Sequence, residues 1–217
     1  MNYCKFLLPL LLMSSVAYSG EQAVAPKPFR LKDLEPGDVK YIPLRQMPDD
    51  LRQKVEDQSR LLEKRTTKSG VRYEVFDVGD VATEMPANER LRLAGKRAGA
   101  KIHDLSTTKF AALQEEGVST EEANNVSRVF MDGNDIVLLR EWDYLAAQGS
   151  IFRVEENLNA KVNSTPAVFV ALRSSNGILY QLAWTTAARD YNLYLRTMKE
   201  PDDAYARMLE LASSIKD

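Results

Sequence analysis

The chain has 217 residues, 29 basic and 31 acidic, with a net charge of −2 at neutral pH and both signs interspersed along it. That balance excludes the basic stripe of a nucleic-acid or anionic-membrane binder, so neither partner is expected. One cysteine and one histidine exclude an internal disulfide, a Cys/His zinc site and any centre built from several imidazoles, and no metal or cofactor is expected.

Residues 1–19 read as a removable export signal, with Lys5 as the charged start, Phe6 to Met13 as the apolar run, and Ala17-Tyr18-Ser19 as the small-residue pattern before Gly20. The apolar run is far shorter than the ~20 residues a membrane span needs. The expectation is a periplasmic or otherwise exported protein with no stable membrane span after cleavage. Cys4 departs with the signal, which removes cysteine catalysis as well. An exported fold of this size buries enough apolar surface to stand without disulfides.

Five of the nine prolines fall between residues 20 and 48, and 20–47 read as a proline-rich leader without helical or strand period. Leu51, Val55 and Leu62, behind Asp49 and Asp50 at the positive end of the dipole, predict a helix over about 48–65. Val71 to Val78 alternate β-branched and aromatic residues and predict a strand. Residues 88–100 read as a helix and 101–105 as a short strand. Ser106 or Thr107 caps a predicted helix that carries Phe110 and Leu113 and stops at Gly117. Ser119 with Glu122 has the form of a capping box for a helix to about Phe130.

Ile136 to Leu139 after Asp132-Gly133 fit the return strand of a hairpin. The spacing of Leu138, Trp142, Leu145, Gly149 and Phe152 instead favours a long helix over 135–162, interrupted at Gly149-Ser150. Ala167 to Leu172 and Ile178 to Trp184, around Ser174-Ser175-Asn176-Gly177, predict a hairpin. Residues 190–198 and 201–215 read as closing helices, with Pro201 at the first position of the second.

Chemistry is sparse. His103 is the single imidazole, no Gly-x-Ser-x-Gly elbow accompanies it, and Asp104 beside it on a strand would face the other way. Neither phosphate-binding glycine pattern is present. Asp132-Gly133-Asn134-Asp135 reads as a turn, lacking the carboxylate spacing of a calcium loop. Trp142, Trp184, Tyr191, Tyr194 and Tyr205 read as core, with Tyr191 and Tyr194 on one helix face.

The run Val162-Asn163-Ser164-Thr165-Pro166-Ala167-Val168-Phe169-Val170 sets a proline before a buried-type strand, followed by a glycine turn, another strand and a helix. Proline cannot donate to a ladder and belongs at a strand's first residue or an edge. With the strand and helix read at 71–100, this order is similar to the thioredoxin fold, whose cis-proline stands at that place. The resemblance implies an α/β, thioredoxin-like three-layer fold over 48–217 with added N- and C-terminal helices and a cis Thr165–Pro166 bond. More narrowly, four features resemble exported thioredoxin-like proteins of conjugative transfer regions over about 71–198. These are the strand ending Val75-Phe76-Asp77, a strand near Ile102-His103-Asp104-Leu105, a helix holding Glu121-Glu122-Ala123, and the run Ala160 to Phe169.

Redox-active thioredoxins carry Cys-x-x-Cys after the first strand; here the loop reads Asp77-Val78-Gly79-Asp80-Val81-Ala82-Thr83-Glu84. The resemblance therefore implies a redox-inactive, non-enzymatic accessory or assembly protein of a conjugative type IV secretion system. Its partners would be exported proteins, and Thr165 and Pro166 the binding residues, taking an extended segment by strand addition. Two other functions remain open from the residues: a periplasmic peptide-binding or chaperone module unrelated to conjugation, and a hydrolase depending on His103.

Overall fold

The computed structural model describes residues 29–60, 62–77, 103–122, 124–174 and 177–216. The signal at 1–19 and the helix expected at 88–100 lie outside the described residues. In chain order the elements are β1 (Val39–Ile42), α1 (Asp49–Arg60), β2 (Glu63–Thr66), β3 (Arg72–Asp77), β4 (Gln114–Glu122), β5 (Asn125–Asp132) and β6 (Asp135–Trp142). They continue with β7 (Ile151–Val154), β8 (Ala160–Val162), β9 (Thr165–Ser174), β10 (Gly177–Thr185), β11 (Asp190–Arg196) and α2 (Pro201–Ser213). The architecture is mixed α/β, dominated by one nine-stranded sheet in the order β2-β3-β9-β10-β11-β6-β5-β4, with β8 also paired to β9. β3 runs parallel to β9 and the other pairings in this sheet are antiparallel. β1 and β7 form a separate parallel pair.

Period-two alternation divides the sheet into two faces. Tyr73, Val75, Phe169, Tyr180, Leu182, Trp184, Leu193 and Leu139 share one face. The buried stripe of α2, Ala204, Met208, Leu211 and Ala212, closes over it at helical spacing. On the opposite face Phe76, Val168 and Val170 are packed by Leu62 and Leu158. Leu62 also packs against Phe29, Ile42, Leu44, Met47, Val55 and Val154, the core of an N-terminal layer built from β1, α1 and β7.

Several expectations hold. The helix at Pro201, the strand at 72–77 and the 165–185 hairpin form where the sequence places them, and the helix behind Asp49-Asp50 starts as expected but ends at Arg60, the last residues of its expected span, Glu63–Thr66, being a strand. Others are corrected. The part of the leader from residue 29 to 47 folds: β1 pairs with β7, and Phe29, Ile42, Leu44 and Met47 are buried. Each proline there separates short elements, so the apolar residues enter the core singly and show no period.

The helices expected over 106–130 are a single 3-10 turn, Lys109–Ala112, followed by β4 and β5. The long helix over 135–162 is β6, a turn, β7 and β8; the hairpin alternative forms, with Asp132 opposite Asp135 and Gly133 at φ +64. Residues 190–196 are a strand, so Tyr191 and Tyr194 face opposite sides of the sheet. Residues 103–105 form no strand. No peptide bond among the described residues is cis, so Thr165–Pro166 is trans.

Candidate functional site

Thr165 and Pro166 open β9 inside a tight hairpin. Asn163 and Ser164 adopt φ 47° and 73°, the left-handed pair that a two-residue hairpin turn requires. Val162 then faces Thr165 and Lys161 faces Pro166 in the β8–β9 ladder. The β9–β10 ladder ends one residue later, at Ala167 opposite Trp184, which accommodates a strand start without an N–H. The extended segment expected beside Thr165 and Pro166 is therefore supplied by the chain's own β8. A trans bond suffices here because the reversal is made by Asn163-Ser164.

Polar groups converge elsewhere, on the α2 face toward β4 and β5. Phe110 is buried against Phe130 with ring centroids 5.2 Å apart. The Thr108 hydroxyl oxygen accepts from the Phe110 amide at 3.2 Å, and the Lys109 amide donates to Ser214 Oγ at 2.9 Å. These bonds seat the 103–113 segment over the sheet and bring His103 to its face. The imidazole Nδ1 lies 3.3 Å from the Tyr191 hydroxyl and 3.6 Å from Glu141 Oε2. Glu141 is 3% exposed and stands opposite Tyr191 in the β6–β11 ladder; Tyr191 in turn stacks on Trp184 at 4.9 Å.

Arg128 on β5 completes the arrangement. It donates to the His103 carbonyl at 3.0 Å and to Glu115 Oε2 at 2.7 Å, with its guanidinium 5.4 Å from the Phe130 ring. His103, Arg128 and Glu115, with Phe110, Leu113 and Phe130, line a solvent-open cavity of about 500 Å³. Asp104, the sequence neighbour of His103, bonds Ser106. The amide and hydroxyl of Ser106 hold its carboxyl below the usual range, so Ser106 is engaged by Asp104 rather than presented to the imidazole.

His103 stood out in the sequence as the lone imidazole, but Glu141 did not. Its signal was its phase: Val137, Leu139 and Glu141 alternate on one face, which shows only once 135–142 is read as a strand. Among the described residues, no group of three or more His, Cys, Asp or Glu side chains is placed to hold a metal, and no helix is long and apolar enough to cross a membrane. Comparison of the chain with protein-family models, curated proteins and solved structures finds no match, which leaves the geometry of His103, Glu141 and the adjoining cavity as the ground for assigning a function.

Proposed function

We propose that the protein is an exported, non-enzymatic binding module whose site is the cavity between the 103–113 segment and β4–β5. The observation that carries this reading is a concavity of about 500 Å³ in which aromatic and aliphatic walls meet fixed polar groups, within the ~300–1,000 Å³ of small-ligand sites. Such a volume accepts an apolar side chain from an exported protein partner. A His103-dependent hydrolase draws support from Glu141, which would orient the imidazole as a carboxylate does in a catalytic triad. Ser106, the hydroxyl nearest to that imidazole in the sequence, is engaged by Asp104 instead. A photoreactive residue at Ala111, on the cavity wall, is expected to crosslink an exported protein in living cells. Filling the cavity with Leu113→Trp should remove that adduct while leaving the melting temperature within a few degrees. An adduct that survives the filling would place the contact elsewhere.

The process proposed for this binding is conjugation, with the protein as a redox-inactive, thioredoxin-like accessory or assembly component of a type IV secretion system. What supports it is the order of residues shared with exported proteins of transfer regions, together with the adjacency of β3 and β9, the first and last of those segments, in one sheet. The trans Thr165–Pro166 bond and the strands at 114–132 add no support. A donor strain lacking the gene is expected to transfer its element about tenfold less often or worse. Normal transfer frequency would remove the conjugative role and leave the binding reading to the crosslinking result.

A further inference from the structure

We propose that Glu74 is a proton-operated latch between the nine-stranded sheet and the N-terminal layer of β1, α1 and β7. Glu74 lies in the middle of β3 and is 7% exposed. Alternation along β3 puts it on the same face as Phe76, and its neighbour across the β3–β9 ladder is Val170. Phe76, Val168 and Val170 form the apolar patch that Leu62 and Leu158 cover, and Leu62 is shared with the core of the N-terminal layer. A carboxyl therefore sits at the seam where that layer meets the sheet.

Its surroundings offer little to a negative charge. Lys64 stands opposite on β2, and Arg72 lies one alternation away on β3 itself. β9 presents Val168, Val170 and Leu172, the α1–β2 junction presents Leu62, and the β7–β8 connection presents Leu158. Glu156 in that connection accepts the Leu44 amide at 2.9 and 2.8 Å, and Arg60 at the end of α1 lies 3.6 Å from Asp57. Among the described residues no hydrogen bond or ion pair within 4 Å reaches the Glu74 carboxyl. A buried, unpaired carboxylate is costly, whereas the neutral acid is tolerated.

Burial pushes the carboxyl up from 4.5 to about 7, against the pull of Lys64. An acid raised by burial favours the closed state when protonated. The contribution is complete below about pH 4.5, where the released group would also be neutral, and is lost as pH rises through about 7. Ionisation thus loosens the seam at Leu62, while the N-terminal layer stays tethered through Arg153 of β7, which bonds Thr185 and Asp190 at the end of the β10–β11 hairpin.

Hydrogen exchange of the full chain at pH 5.5 and 8.5, corrected for intrinsic rates, tests this directly. Protection of amides in 49–60 is expected to fall by about tenfold or more at the higher pH, and Glu74→Gln should show equal protection at both. Lys64→Met should move the wild-type midpoint upward, because it removes the positive charge that stands opposite the carboxyl and favours its ionisation. Wild-type protection that does not change with pH, or the same fall in the Gln variant, overturns the latch. Should that variant fail to fold, the wild-type carbon NMR titration of the Glu74 carboxyl decides: an inflection near 7 upholds the proposal and one near 4.5 ends it.

Discussion

Replacing Arg153 with alanine is expected to lower the unfolding free energy by about 3–5 kcal/mol, read as a reduced urea midpoint at unchanged slope. Alternation along β7 sends Phe152 and Val154 into the N-terminal core and turns Arg153 the other way, onto the end of the β10–β11 hairpin. There its Nε donates to Thr185 Oγ1 at 3.0 Å and a terminal nitrogen to Asp190 Oδ1 at 2.5 Å. The Thr185 hydroxyl donates to the same carboxylate oxygen, and Asn192 Nδ2 reaches the other at 3.3 Å. The side chains of Arg153 and Asp190 are only 5% and 11% exposed.

Removing the cation leaves the Asp190 carboxylate out of water with neutral donors alone. That residual charge, more than the lost attraction, sets the size of the effect. The pairing of Arg153→Met with Asp190→Leu should therefore be less destabilising than Arg153→Ala by itself. A single-variant loss below about 1 kcal/mol would show that water replaces the guanidinium and that the two layers are joined elsewhere. The position of this tie gives the Glu74 latch its hinge: one side of the N-terminal layer is held by charge, the other by the packing of Leu62.

Where a local code had one reading, the sequence was legible. The β-branched and aromatic runs at 72–77 and 167–184 admit little but strands, and Asp49-Asp50 and Pro201 mark helix starts whatever the tertiary context. β4 was hidden because Gln114, Glu115 and Glu116 carry helix propensity, and edge pairing with β5 overrides it. β6 was hidden because both of its faces are covered: Leu138 is buried on one side and Val137 and Leu139 on the other. The alternation disappears into a continuous run, and the chance spacing of Leu138, Trp142 and Leu145 then imitates a helix. The candidate site inherited that error. His103 could be picked out, but its buried neighbours Glu141 and Tyr191 belong to β6 and β11, two segments read as helices. Pro166 marked the strand start correctly, yet whether its bond is cis or trans depends on where the chain reverses, and Asn163-Ser164 reverse it first.

Phe169→Ala is expected to cost about 3–5 kcal/mol, the other large effect. Phe169 is fully buried at the centre of β9, stacked on Tyr180 at 5.9 Å and meeting Tyr73 at 5.5 Å and Tyr205 of α2 at 4.9 Å. Three rings from three elements converge on it, so truncation opens a void that no single neighbour can fill without leaving its own contacts. The backbone should hold. At residue 169 the β8 ladder has ended and the β3 ladder has not begun, and Asn159 bridges the gap, donating to the Phe169 carbonyl at 2.8 Å and accepting from its amide at 2.7 Å. The strand is pinned by that amide rather than by the ring, so the loss should appear as a lower midpoint with an unchanged denaturant slope. Faster hydrogen exchange in α2, which loses the edge contact through Tyr205, should accompany it. Phe169→Leu, which keeps most of the volume, should cost roughly 1–2 kcal/mol. An alanine variant losing less than that would mean that Tyr73, Tyr180 and Tyr205 close over the space, and that α2 is held to the sheet chiefly by Met208 and Leu211.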